Sequence, residues 1–413
     1  MMKMKRPRPE NRIVVTGLGA VTPFGPTCDA LWQGLLSGQR ALSELTKFDP
    51  TGLRNTKAGQ IHDWQFAAAD FSLERTPDEA VQFLLVAAAE AISDAGLSKQ
   101  LQSGAPAHPQ AGTVLATNFG GGASWEEYMS GLLDKRPSPD HFADFSFHTA
   151  ISDLCHAFAL GGPCSQLSMA CASGTAAIGL AAEMIRDGQV EMILVGGYDE
   201  LAPSPLSGLS LLRTITDDDL RPFSANRSGT LFGEGASVLL LESLEHARKR
   251  GARYYCEVLG AWQNNNAYHL TAPDAGGAGM ARVLAGALHK AGVPADQLQH
   301  INAHGTGTEY HDVAETEAIK SVLGAAAYDA TVVSIKGALS HLMGAAGAVE
   351  GLVAALSIYH QKVPPTTNYS EPDPACDLDY VTEGCRDQNI QYAASISAGI
   401  GGDNSCVILG RLD

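Results

Sequence analysis

Cys171 stands where a run with strand character, ending at Ser168-Met169-Ala170, gives way to a small-residue stretch, Ala172-Ser173-Gly174-Thr175-Ala176-Ala177-Ile178-Gly179. The second stretch reads as a helix. A thiol at that junction meets unpaired backbone N–H groups and the positive end of the helix macrodipole, both of which favour thiolate. A strand-to-helix elbow also holds the side chain out of the sheet, as it does for serine nucleophiles. The competing reading is a buried small hydrophobe, the ordinary fate of a free cysteine. The other cysteines, at 28, 155, 164, 256, 376, 385 and 406, have no comparable setting.

Two further segments carry imidazoles and a fixed positive charge. Asn302-Ala303-His304-Gly305-Thr306-Gly307-Thr308 places a histidine at a strand end before a Gly/Thr loop. Ser334-Ile335-Lys336-Gly337-Ala338-Leu339-Ser340-His341 brackets a turn with a lysine and a histidine, ahead of a small-residue helix that contains Glu350. A lone histidine is most often structural. A thiol, two imidazoles and a lysine, all at strand-to-loop edges, form the set that acyl transfer requires: a nucleophile, hydrogen-bond donors for a developing oxyanion, and a fixed cation. The glycine-rich loop Gly399-Ile400-Gly401-Gly402-Asp403-Asn404 is weak alone, since glycine clusters mark turns, but it offers a backbone N–H for an oxyanion hole.

The elements that position these residues alternate strand and helix from end to end, the pattern of an α/β protein. Strands are expected at residues 13–16, 112–117, 166–169, 192–195 and 238–242, with helices at 79–95 and 172–187. A second series has strands at 255–259, 300–303, 331–335 and 406–409, with helices at 280–291 and 343–359. The charged segment Glu245 to Gly251 closes the first series, so the division falls there, giving halves 1–251 and 252–413. Nothing near it has linker composition, so two α/β halves sharing an interface are expected.

Composition narrows the function classes. Among 413 residues, 28 Lys and Arg face 45 Asp and Glu, a net charge of −17 that disfavours a nucleic-acid binder. Hydrophobic residues at 45 % and charged ones at 18 % exclude a disordered chain. Cysteines without any CxxC pair remove the simplest zinc and dithiol signatures. The basic amino terminus (Lys3, Lys5, Arg6, Arg8) precedes an apolar stretch too short for a signal peptide, and no run is long enough to span a bilayer. A cytoplasmic enzyme is expected.

With these motifs in order, the chain resembles the β-ketoacyl-acyl carrier protein synthases, the condensing enzymes of type II fatty-acid and polyketide systems. The resemblance runs from Val14-Val15-Thr16-Gly17-Leu18-Gly19-Ala20-Val21-Thr22-Pro23 to the terminal glycine loop. It implies a thiolase-like fold with two similar α/β halves in a layered αβαβα arrangement. It also implies a Cys-His-His triad at Cys171, His304 and His341 and an active-site lysine at Lys336, with Asp312, Glu315 and Glu350 as supporting acids. Cys171 would take an acyl group from an acyl-ACP. Malonyl-ACP would then lose carbon dioxide, and its enolate would attack the thioester. The histidines would serve the enolate oxygen, and the N–H groups of Cys171 and Ile400, in the loop with Gly401 and Gly402, would serve the acyl oxyanion. No metal or organic cofactor is implied. The implied partners are an acyl carrier protein and a second subunit, either a copy of this chain or a chain-length-factor-like protein. Arg213 and Arg221 are the arginines expected to meet an acidic carrier protein.

Departures from the family pattern bear on pathway. Elongation synthases usually carry Phe where Ile400 stands, as a gate over the cysteine, and Ile or Met where Phe119 stands in the acyl pocket. A branched gate and a bulky wall lean toward a specialised polyketide or polyene synthase over a housekeeping fatty-acid synthase. A non-catalytic chain-length partner would lack Cys171. A degradative thiolase would need a second cysteine between residues 399 and 404, and a chalcone-synthase-like enzyme would carry Asn in place of His341.

Overall fold

The structure is a computed structural model describing residues 12–412; the basic residues Lys3, Lys5, Arg6 and Arg8 lie outside that range. Ten strands form one mixed sheet: β1 (Ile13–Val21), β2 (Ala111–Ala116), β3 (Cys164–Leu167), β4 (Met192–Asp199), β5 (Gly235–Ser243), β6 (Cys256–Asn265), β7 (His300–Asn302), β8 (Thr331–Val333), β9 (Tyr392–Ala398) and β10 (Asp403–Gly410). Their spatial order is β8-β7-β9-β10-β6-β1-β5-β4-β2-β3. The first five strands in sequence lie as β3-β2-β4-β5-β1, and the last five repeat that order as β8-β7-β9-β10-β6. The two sets meet where β1 pairs antiparallel with β6, Val14 opposite Glu257 and Val15 opposite Cys256. In each set the second strand runs parallel to the third and the fourth, so their carboxyl ends open on one edge.

Seven helices matter here: α1 (Glu79–Asp94), α2 (Gly122–Leu133), α3 (Ser173–Arg186), α4 (Pro203–Leu211), α5 (Ala278–Ala291), α6 (His311–Leu323) and α7 (Ala346–His360). Helices α3 and α7 pack on one another and on strands from both sets, and their residues are almost all buried. A helix apolar on every face belongs in such a middle layer. Helix α1 covers β1, β5 and β4 from outside, and α5, with α6 packed on it, covers the other set. The layering is therefore helix, one strand set, helix pair, the other strand set, helix, as expected of a thiolase-like fold.

The two middle helices approach closely because glycine permits it. A Cβ on Gly174 would lie 2.3 Å from the Ala348 backbone nitrogen, and one on Gly347 would lie 2.5 Å from that of Thr175. Both glycines sit in the first turn of their helix, so the crossing brings together the segments just upstream, which carry Cys171 and His341.

The structure differs from the sequence expectation in several elements. Strand β9 was not anticipated: Tyr-Ala-Ala-Ser-Ile-Ser-Ala is rich in small residues of low strand propensity and owes its state to burial between β7 and β10. Helices α2, α4 and α6 were also missing from the expectation. The strand expected at 166–169 lies at Cys164–Leu167, because Ala170 adopts φ 46° and turns the chain into the elbow.

Candidate active site

Three strand ends and one loop build the site. Cys171 follows β3 and precedes α3, in a cavity of about 350 Å³ that it lines together with His304, His341, Phe232, Ala398 and Ile400. The elbow forms, but the thiolate expectation does not hold. Burial pushes the Cys171 thiol up to about 12, outweighing Lys336, whose charge favours thiolate, while Asp199 and Glu350 oppose it. Burial thus favours the thiol form of the free cysteine. The Ile400 backbone N–H donates to its sulfur. A Cβ on Gly399 would come within 3.2 Å of the Cys171 nitrogen, so glycine there keeps both N–H groups clear. Gly401 and Gly402 do not join them: their N–H groups are taken by the carbonyls of Leu270 (2.7 Å) and Gly399 (3.1 Å), which shape the turn.

His304 begins the loop after β7, and that loop is hung on carboxylates. Glu315 accepts from the His304 N–H at 2.7 Å and from Gly305 at 2.8 Å. Asp312 accepts from Gly307 (3.1 Å) and from Phe223 (2.7 Å). Burial pushes these acids up to about 8 and about 6 respectively, against the N–H groups that favour their charged forms. Both supporting acids thus act on backbone and touch no imidazole nitrogen.

Lys336 is buried, with Nζ donating to the His304 carbonyl at 2.5 Å and to Glu350. Glu350 in turn accepts from Ser397 Oγ at 3.1 Å, which shares a 2.7 Å hydrogen bond with Thr175 Oγ1. The lysine is a tethered charge. His341 is fixed by backbone hydrogen bonds to Leu231 and Gly233 and by the Phe232 ring stacked at 5.4 Å. Its Nδ1 accepts the Met343 N–H at 3.1 Å. A backbone N–H only donates, so the Nε2 of a neutral His341 must carry the proton and act as a donor. The His304 and His341 rings meet edge-on at 5.5 Å. Burial, then the Lys336 charge, hold both well below the usual imidazole range, which favours their neutral forms.

Phe119 follows β2 and lines a second, largely apolar cavity of about 770 Å³, with Trp125, Leu209, Leu211 and Leu212. Ile400 and Leu212 line both cavities and form the partition between them. Sequence reasoning missed Asp199, at the end of β4, which organises this wall. Its carboxylate accepts from Thr117 Oγ1 (2.7 Å), from the N–H groups of Asn118 and Phe119 (2.9 and 3.0 Å), and from Gly344 (2.6 Å). It ties the Phe119 loop to the segment after His341. Its signal was a charged residue closing an otherwise apolar strand, Met192–Asp199.

The structure brings Cys171, His304, His341 and Ile400 into one cavity, with Lys336 and Glu350 beneath it and Phe119 in the wall beyond the partition. A thiol facing two neutral imidazoles, with the Cys171 and Ile400 N–H groups beside it, is equipped to form a thioester and then stabilise an enolate. Sequence comparison agrees. Models of the beta-ketoacyl synthase N-terminal and C-terminal domains match residues 10–247 and 255–370.

This chain belongs to the β-ketoacyl synthase family.

Its relatives span two kinds of pathway. The synthase is 38 % identical to a 3-oxoacyl-[acyl-carrier-protein] synthase 2 of Synechocystis over 96 % of this chain and 97 % of that one. It is 35 % identical to the tetracenomycin polyketide synthase ketoacyl synthase alpha subunit of Streptomyces glaucescens, with 97 % of each chain covered. Among solved structures, the ishigamide ketosynthase/chain length factor superposes with a TM-score of 0.90 at 30 % identity, over 97 % of this chain and 99 % of that one. The family's chemistry is condensing acyl transfer, and this chain is an enzyme of that class. Among the described residues no helix is long and apolar enough to cross a membrane, and no cluster of three or more His, Cys, Asp or Glu is placed to hold a metal ion.

Proposed function

We propose that this synthase extends acyl chains of a specialised type II polyketide or polyene pathway, by decarboxylative condensation with malonyl-ACP. The observation that carries the reading is the apolar cavity behind the Ile400 and Leu212 partition, walled by the flat rings of Phe119 and Trp125. Flat, unsaturated chains lie against aromatic faces at little entropic cost, whereas long saturated chains lose rotamer freedom there. The identity to the Synechocystis synthase favours a second reading, elongation in fatty-acid synthesis.

In the first half-reaction the Cys171 sulfur attacks the thioester carbon of an acyl-ACP. The carrier thiol leaves, and the proton passes from Cys171 to that leaving sulfur. Cys171 and Ile400 N–H groups hold the oxyanion. In the second, the malonyl C–C bond to the carboxylate breaks and carbon dioxide departs. His304 and His341 donate to the enolate oxygen, the carbanion carbon attacks the thioester, and Cys171 leaves as thiolate and takes a proton from solvent water. Lys336 and Glu350 hold the His304 loop and act as no base. Asp312 and Glu315 hold the same loop through backbone.

The carrier protein is the partner that delivers both substrates. A second subunit completes the assembly, either a copy of this chain or a chain-length-factor-like protein, in the cytoplasm. We divide the chain into functional halves at residue 251, the first bearing the nucleophile and the second the imidazoles and lysine. The test is intact-protein mass analysis of the carrier after incubation with malonyl-ACP and a panel of saturated and polyunsaturated acyl-ACPs. Preferred extension of short or unsaturated primers is expected. Robust extension of long saturated primers would overturn the specialised reading.

A further inference from the structure

A third histidine stands in the catalytic cavity and has no part in the scheme above. His311 opens α6 and lines the same cavity as Cys171, His304 and His341. Its ring lies 5.0 Å from that of His304, tilted by 60°, with no hydrogen bond between them. Three polar atoms in this corner are buried without a partner among the described residues: Nδ1 of His304, Nδ1 of His311, and Oδ1 of Asp274. The charge of Asp274 acts on His311, and its other oxygen accepts the Gly279 N–H at 2.8 Å.

The two catalytic histidines differ in one respect. His341 has its tautomer fixed by the Met343 N–H, but nothing bonded to His304 fixes its own. Its backbone is held by Glu315 and Lys336, and neither reaches the ring. A neutral imidazole presents Nε2–H only while Nδ1 is bare, and a bare buried nitrogen without a donor is unfavourable.

We propose that His311, anchored by Asp274, is a positioning residue that holds His304 in the tautomer presenting Nε2–H to the reacting oxygen. Turned toward Asp274, whose Oδ1 has no partner among the described residues, one His311 N–H would donate to that oxygen and leave Nδ1 bare. A single water donates one hydrogen to that nitrogen and the other to Nδ1 of His304. This chain satisfies all three orphaned atoms, and bridging waters between buried polar groups are ordinary components of such sites. Orienting a working imidazole through its second nitrogen is what the aspartate of a catalytic triad does, and the wrong tautomer there abolishes most activity.

The assignment rests on the condensing activity and not on which chains are extended, so it stands or falls separately from the pathway. The test compares two half-reactions in the full-length protein: acyl transfer from hexanoyl-ACP to Cys171, read by intact mass, and decarboxylation of malonyl-ACP to acetyl-ACP. His311→Leu should lower decarboxylation about tenfold, the worth of one good hydrogen bond, through kcat and with KM little changed. Acyl transfer should stay within about twofold. His311→Gln, which keeps a donor and an acceptor, should recover most of the loss. Asp274→Asn keeps an oxygen for the Gly279 N–H and removes the charge, and should lower decarboxylation a few-fold. Undiminished decarboxylation in His311→Leu and Asp274→Asn would overturn the proposal. So would an equal fall in both half-reactions, a loss confined to KM, or a glutamine variant no better than leucine.

Discussion

The two halves of the sheet use the same three strand ends for different work. After the second strand of each set come Phe119 in one half and His304 in the other. After the third strand, and before the middle helix, come Cys171 and His341. The fourth strand of the first set ends in Asp199, and Ile400 follows the fourth strand of the second. On the proposed reading one half offers an acyl wall, a nucleophile and a carboxylate that braces the wall. The other offers two imidazoles and a gate, over the buried Lys336–Glu350 pair. Ligands of parallel sheets bind at the carboxyl ends of strands, and here the crossing of α3 and α7 turns two such edges toward one cavity. The lesson is that the fold supplies positions and the residue at each position supplies the step.

That division predicts a clean split between variants, and this is the largest effect expected. Cys171→Ala should give no acyl-enzyme by intact mass, since the first half alone carries the nucleophile. His304→Ala and His341→Ala should still be acylated but decarboxylate malonyl-ACP on the order of 10²–10³ more slowly, the usual loss for one oxyanion donor. A His341 variant that decarboxylated at the wild-type rate would remove that residue from the enolate.

The crossing itself is tested by Gly347→Val, which drives a side chain into the Thr175 backbone. Overpacking of this kind destabilises by about 3 kcal/mol or more, so thermal unfolding should drop by several degrees, with both half-reactions impaired together. A variant of wild-type stability would show that the two helices are not in van der Waals contact.

How much of this was legible in the sequence follows from what each signal depends on. Cys171, His304, Lys336 and His341 were legible because their neighbours are small residues and strand ends in a recurring order. The two-part α/β architecture was legible from apolar runs such as Ile13 to Val21. The protonation state of Cys171 was not, because local sequence shows a helix N-terminus and hides the burial that outweighs it. His311 and Asp274 were passed over because they lie apart in sequence, and only the packing of α6 beside the 271–274 loop sets them in one corner. Strand β9 was missed because its small residues take their conformation from β7 and β10.

The thiol state offers the next measurement. With Cys171 pushed up to about 12, its thiolate fraction rises tenfold for each pH unit through neutrality and beyond. Alkylation of Cys171 by iodoacetamide, followed by peptide mass analysis, should therefore climb about tenfold per unit between pH 7 and 10 without levelling off. The exposed Cys164 and Cys385 should be labelled first at pH 7. A plateau for Cys171 near pH 7 would mean that the helix terminus wins over burial after all.

Phe119 sharpens the acyl half of the comparison. Phe119→Ala should lengthen the accepted primer while leaving decarboxylation of malonyl-ACP unchanged, because the residue faces the larger cavity alone. Discrimination between successive chain lengths should shift by about 1–3 kcal/mol, as apolar pockets distinguish methylenes no better than that. Equal changes in both half-reactions would place Phe119 in the chemistry.

The smallest effect belongs to carrier docking, where the structure separates two arginines that the sequence could not. Arg221 is tied to Asp218 at 2.7 Å, while the neighbouring Arg54 and Arg40 are held by Asp217 and Asp219. The acidic run Asp217-Asp218-Asp219 therefore consumes the positive charge around it. Among the described residues Arg213 has no such partner; it is exposed and lines the catalytic cavity beside Leu212 and Thr214. An anionic carrier approaching a chain of net charge −17 would meet this guanidinium at the entrance, so Arg213→Glu should slow acylation more than Arg221→Glu does. Exposed charge pairs contribute about 0.2–1 kcal/mol, which sets the expected loss at roughly twofold to fivefold. The loss should shrink as salt rises, since screening removes the attraction from the wild type and the repulsion from the variant alike. Equal effects at the two positions, or a loss indifferent to salt, would move the docking surface away from Arg213.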